Sequence, residues 1–219
     1  MTAPTPAGDP HADLPIRSAG VPLGQAEAAM VMIHGRGATA ESILSLVPAL
    51  AAPRMAFLAP QAADNTWYPY SFLAPIARNE PGITSGLQAI QRVLNLIEAS
   101  GIPRTRSLLL GFSQGACLAS EYAARYATRY GGLAILSGGL IGPEGTPRDY
   151  TGSLDGTPVF VGCSDVDSHI PAERVRESAT TLERLGGRVI LRLYPGMGHI
   201  VNEDELNEVR TMISGVFVS

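Results

Sequence analysis

The chain has no lysine; all sixteen of its basic residues are arginine, from Arg17 to Arg210. That absence excludes an internal Schiff base, a Walker-type phosphate-cradling lysine and the phosphate-pairing lysine of kinases. Charge is scarce altogether, at 16% of residues with a net charge of −4. The arginines are scattered rather than clustered, which argues against nucleic acid and against stable membrane association. Cysteine is limited to Cys117 and Cys163. Two are too few for a disulfide framework, they lack the CxxC spacing of zinc and redox motifs, and a reducing, cytoplasmic compartment is expected. No run of eighteen apolar residues occurs, and the first twenty residues lack a basic start followed by an apolar stretch, so neither a membrane span nor an export signal is expected. HExxH and comparable ligand clusters are absent too, so no metal and no organic cofactor is expected.

What the chain does contain is 45% apolar residues in a length of 219, ample for one buried core. Short apolar runs at 28–34, 55–59, 107–111, 132–137, 158–162 and 188–194 predict strands. Several lack polar alternation, as strands covered on both faces do. Ile83, Leu87, Ile90, Leu94 and Ile97 recur at intervals of three and four, and the stripe ends at Gly101 with Pro103 beyond, which predicts a helix. Further helices are predicted at 39–51 and 114–126, after Pro171, and after Asn202 with Glu205 three residues on. This alternation predicts an α/β fold with a mostly parallel central sheet and helices on both faces. Three prolines before residue 11 predict a flexible tail over residues 1–20, leaving a single domain over 21–219. The loops 61–81 and 138–157 are too short for a helical cap domain, so a site at the carboxyl ends of the strands should be open.

Gly111-Phe112-Ser113-Gln114-Gly115 is a G-x-S-x-G run between a predicted strand and a predicted helix, the setting of a nucleophile elbow. A serine on so sharp a turn is held out of the sheet at a helix N-terminus, where amide N–H groups favour developing negative charge. A base and an orienting acid should follow on loops after later strands. The segment Cys163-Ser164-Asp165-Val166-Asp167-Ser168-His169 offers two acids, and Pro195-Gly196-Met197-Gly198-His199 places a histidine immediately before the last helix. His199 has the expected order and setting; His169 reads as a loop histidine. His34-Gly35-Arg36-Gly37 after the first predicted strand could supply one oxyanion-hole N–H from Arg36, with Gln114 supplying the other.

With HGRG, GFSQG, GCSDVDSHIP and YPGMGH on the page, the chain resembles the bacterial phospholipase/carboxylesterase family of α/β-hydrolases, which includes acyl-protein thioesterases. The likeness covers nearly the whole chain after the first twenty residues. It implies an α/β-hydrolase fold, Ser113 as nucleophile, His199 as general base and acid, and Asp167 as orienting acid. Asp165 is then a solvated loop residue.

The expected activity is hydrolysis of small to medium carboxylic esters through an acyl-enzyme, with a small-molecule ester as the partner. Thioester or lysophospholipid hydrolysis by the same residues is the alternative, and a catalytically silent scaffold binding small aromatic ligands is the non-enzymatic one. Trp67, Tyr68 and Phe72 crowd one loop and are candidates for an apolar wall over Ser113, with anchoring of that loop to the core as the competing role. The Arg36 side chain either attracts an acidic substrate or points to solvent. Oligomeric state is open, a homodimer included.

Overall fold

The computed structural model describes residues 8–218. Seven strands form one sheet: β1 (Ile16–Gly20), β2 (Ala28–Ile33), β3 (Met55–Pro60), β4 (Ser107–Phe112), β5 (Gly132–Leu136), β6 (Pro158–Ser164) and β7 (Arg188–Tyr194). Their order is β1-β3-β2-β4-β5-β6-β7. Only β1 runs antiparallel, against β3; all other pairs are parallel. This is the expected mostly parallel α/β-hydrolase sheet, with no cap domain among the described residues.

The continuous apolar character of β2 has a direct cause. Ala29, Val31 and Ile33 face one core, while Ala28, Met30 and Met32 face the other, because successive side chains leave a strand on opposite sides. On the first face lie α3 (Gly82–Ala99), α4 (Gln114–Arg125) and α5 (Ala172–Arg184); on the second lie α1 (Ala40–Leu44), α2 (Val47–Leu50) and α6 (Glu203–Val216). The Ile83-to-Ile97 stripe is fully buried on α3, as its spacing predicts. The single helix predicted over 39–51 is two helices, because Pro48 in the first turn of α2 has no N–H to continue the ladder of α1. α6 opens on the predicted capping box, Asn202 accepting from the Glu205 N–H while Glu205 accepts from the Asn202 N–H.

The expectation of a tail over residues 1–20 is corrected. Residues 1–7 lie outside the described residues, but the stretch from 9 to 20 is held to the body of the chain at several points. The Asp9 carboxylate accepts from Arg92 at 2.9 Å and from the Ser85 hydroxyl, His11 is buried, and residues 16–20 are strand β1. The His11 ring bridges two distant backbone groups, the Trp67 carbonyl and the Ala63 N–H, each at 3.0 Å. Among the described residues no helix is long and apolar enough to cross a membrane.

Candidate active site

The sheet reverses its winding between β2 and β4, which lie side by side although β3 separates them in sequence. Such a switch point leaves a crevice at the carboxyl ends of the strands, and Ser113 stands on it, one residue beyond β4. Its backbone is at φ 56°, ψ −120°, a conformation a side chain rarely adopts and one that stores strain. The flanking glycines allow it. A Cβ at Gly111 would lie 2.3 Å from the Gly115 carbonyl oxygen, and one at Gly115 would lie 2.2 Å from that of Ile33. Across the crevice, a Cβ on Gly35 would come within 3.3 Å of the Ser113 Cβ.

His199 reaches this serine from the loop after β7, and Asp167 from the loop after β6. The Ser113 Oγ is 2.8 Å from His199 Nε2, and His199 Nδ1 is 2.6 Å from Asp167 Oδ2. An ionised carboxylate only accepts, so Nδ1 carries the proton and Nε2 is left to accept from the Ser113 hydroxyl. The Asp167 side chain is wholly buried. Burial by itself would raise its pKa, but the His199 hydrogen bond and the N–H groups of His169 (2.8 Å) and Ile170 (3.1 Å) outweigh it and hold the carboxyl below the usual range.

Asp165 is elsewhere. It accepts from the Gly196 N–H at 2.8 Å, while its own N–H donates to the Tyr194 carbonyl at 3.1 Å. Together with Ser164, whose hydroxyl accepts from the Gly198 N–H at 3.3 Å, it ties down the loop that carries His199.

A cleft of about 530 Å³ opens over the serine, with Arg36, Tyr68, Phe72, Gln114, Cys117 and His169 in its wall. The backbone N–H groups of Arg36 and Gln114 donate to no acceptor among the described residues, as donors reserved for a bound oxygen would. Tyr68 and Phe72 line the cleft as expected. Trp67 does not, and its expected place in the substrate wall is corrected. It is fully buried behind the wall, its indole N–H donating to the His34 carbonyl at 2.8 Å and its ring packed between those of His11 and His34. Residues 19–217 match the phospholipase/carboxylesterase family. The chain belongs to that family.

A phospholipase/carboxylesterase of Dyadobacter fermentans superposes with a TM-score of 0.89 at 44% identity, over 92% of this chain and 97% of that one. Acyl-protein thioesterase 1 of Gibberella zeae is 34% identical over 145 residues, 63% of this chain and 60% of the fungal protein. A probable carboxylesterase of Oryza sativa subsp. japonica is 27% identical over 143 residues, 64% of this chain and 54% of that protein. The matched stretch thus covers less than two thirds of either relative. The carboxylesterase of Bacillus cereus, with a TM-score of 0.72 at 16% identity, shares the fold.

In this member of the phospholipase/carboxylesterase family, several side-chain contacts around the site carry no sequence signal. The Gln114 side chain accepts from the Trp67 N–H at 3.0 Å and donates to the Tyr68 carbonyl at 2.8 Å. The Arg36 side chain is exposed and lines the cleft. It donates to the carbonyls of Pro69 (2.8 Å) and Tyr70 (2.6 Å), so the turn after β2 holds the aromatic loop. His169 packs edge-on against His199 with ring centroids 4.9 Å apart. Cys117 is buried but reaches the cleft floor, and burial raises its thiol to about 12. Cys163 lies 3.8 Å from Asp167 Oδ2; burial first, and then that carboxylate, raise it likewise to about 12. Neither thiol is an effective nucleophile near neutral pH.

Proposed function

We propose that the protein is a serine esterase acting on small to medium carboxylic esters through an acyl-enzyme. The observation that carries this reading is the unbroken chain of hydrogen bonds from Ser113 through His199 to the buried Asp167, opening onto the cleft. The Ser113 Oγ attacks the ester carbonyl carbon as its proton passes to His199 Nε2, and the Arg36 and Gln114 N–H groups receive the oxyanion. The carbon–oxygen bond to the alcohol then breaks, and His199 gives its proton to the departing oxygen. Water repeats the sequence on the acyl-enzyme, releasing the acid and restoring the serine. Asp167 holds the imidazole in the required tautomer throughout. No metal or organic cofactor enters any step, and the cytoplasmic placement expected from the cysteine content is part of the proposal.

Hydrolysis of thioesters by the same residues is the second reading, favoured by the fungal relative's name. The deciding experiment is fluorophosphonate labelling with the adduct located by mass spectrometry, followed by turnover of matched acyl esters and thioesters. Stoichiometric labelling at Ser113, lost in Ser113→Ala, is expected. Folded protein that neither labels nor turns over would point instead to a silent scaffold.

A further inference from the structure

A second cleft lies on the other side of His199. It encloses about 440 Å³ and is walled by Ile43, Leu46, Phe112, His199, Ile200 and Val201. His34 and Ser42 border it as well; apart from these two and the His199 imidazole, the side chains of the wall are hydrocarbon. Gly35 also borders it, and a Cβ on this glycine would lie 3.3 Å from the Ser113 Cβ, so one residue separates the groove from the reacting serine. The Phe112 ring forms its inner wall, with its centroid 5.0 Å from that of His199. Ile200 at the mouth is 56% exposed.

The two clefts lie on opposite faces of the sheet. The first is bounded by Cys117 of α4 and by Ile170 just ahead of α5; the second by Ile43 of α1 and by the segment leading into α6. His199 is a wall of both, whereas Ser113 and Gln114 line only the first. Chemistry assigns the halves of an ester differently. The acyl group stays bonded to the Ser113 Oγ through two steps and must fit where Ser113 and Gln114 form the wall. The alcohol oxygen must meet His199 Nε2 to take its proton, and the group it carries leaves before water enters.

We propose that the second groove binds the alcohol portion of the substrate, giving the enzyme a preference for esters of alcohols with an apolar chain or ring. This rests on the serine-esterase reading above. A groove of this composition strengthens with each methylene it covers, and it acts on acylation alone, because the alcohol has gone when the acyl-enzyme is hydrolysed.

The test compares methyl acetate, hexyl acetate and methyl hexanoate in the wild type and in Leu46→Gln and Ile200→Gln, neutral replacements that leave the charge around His199 unchanged. Wild-type kcat/KM should rise from methyl to hexyl acetate. In both variants the ratio of kcat/KM for hexyl acetate to that for methyl hexanoate should fall roughly 10-fold. The rate constant for breakdown of the acetyl-enzyme, measured in a burst experiment with p-nitrophenyl acetate, should keep its wild-type value. Leu46 lies between α1 and α2, outside the loop that carries His199, so a loss shared by both variants separates the groove from a disturbance of that loop. A loss that follows the acyl chain, or no gain from the longer alcohol in an enzyme that labels with fluorophosphonate and turns over, overturns the groove assignment alone. Absence of both labelling and turnover overturns the esterase reading and the groove assignment with it.

Discussion

Asp165 and Asp167 are two positions apart on one loop, yet their environments separate them completely. Asp167 is buried and gives one oxygen to His199 and the other to two backbone N–H groups; Asp165 is exposed and holds the Gly196 N–H. Asp167→Asn should therefore lower kcat/KM by roughly 10³–10⁴-fold, since an amide at that place no longer enforces the Nδ1–H tautomer. Asp165→Asn keeps an oxygen for Gly196 and should retain most activity, which parallel steady-state assays would show; equal damage from the two substitutions would reverse the assignment. Ser113, His199 and the two acids were legible in the sequence because each lies in a short motif whose spacing is local. Trp67 and His11 were not, because their positions follow from contacts with partners 33 to 56 residues away. An indole that lines a cleft and one that anchors its wall have the same letter and the same neighbours.

Among the elements, the turn after β2 and the start of α4 share one task beyond carrying the N–H groups of Arg36 and Gln114. Their side chains clamp the 67–70 segment, Gln114 at its first two residues and Arg36 at its last two. Arg36→Ala keeps its backbone N–H but frees the Pro69 and Tyr70 carbonyls. Amide exchange over residues 70–72 should accelerate about 10-fold or more, and KM should rise severalfold with a much smaller change in kcat; hydrogen-exchange mass spectrometry and steady-state kinetics would show whether the clamp governs the loop. Strands β2 to β6 and their helices were readable because burial on both faces leaves unbroken apolar runs. β1 was not, since IRSAG is exposed at nearly every position and pairs only through its backbone along one edge. The gap between α1 and α2 turned on Pro48 alone.

At the scale of the molecule, one carboxyl group stands out: Glu205 is fully buried on α6 against β6. Its Oε2 accepts from the Asn202 N–H at 2.9 Å, its Oε1 has no partner among the described residues, and a Cβ on Gly162 would lie 2.3 Å from that oxygen. Burial raises its pKa to about 7 from an ordinary 4.5. The folded protein thus holds this proton over a range where the unfolded chain has lost it. Its contribution to stability is greatest below the unfolded value, declines as pH rises through the interval, and is lost above about 7. Glu205→Gln preserves the capping geometry without the charge, and should be more stable than wild type by up to ~3 kcal/mol at pH 8, with the difference vanishing near pH 4. Denaturant titrations of the two proteins at both pH values would measure it.

The strand order has one more consequence. Ser113 follows β4 in the middle of the sheet, but its histidine follows β7, the outermost strand, whose side chains are all exposed or half-buried. Every catalytic cycle in this reading depends on the last strand being docked, although that strand contributes little to the two cores. Activity therefore reports on the sheet's edge more sensitively than any spectroscopic average over the whole chain. Undocking β7 and α6 would silence the enzyme while most of its helix and sheet signal remained.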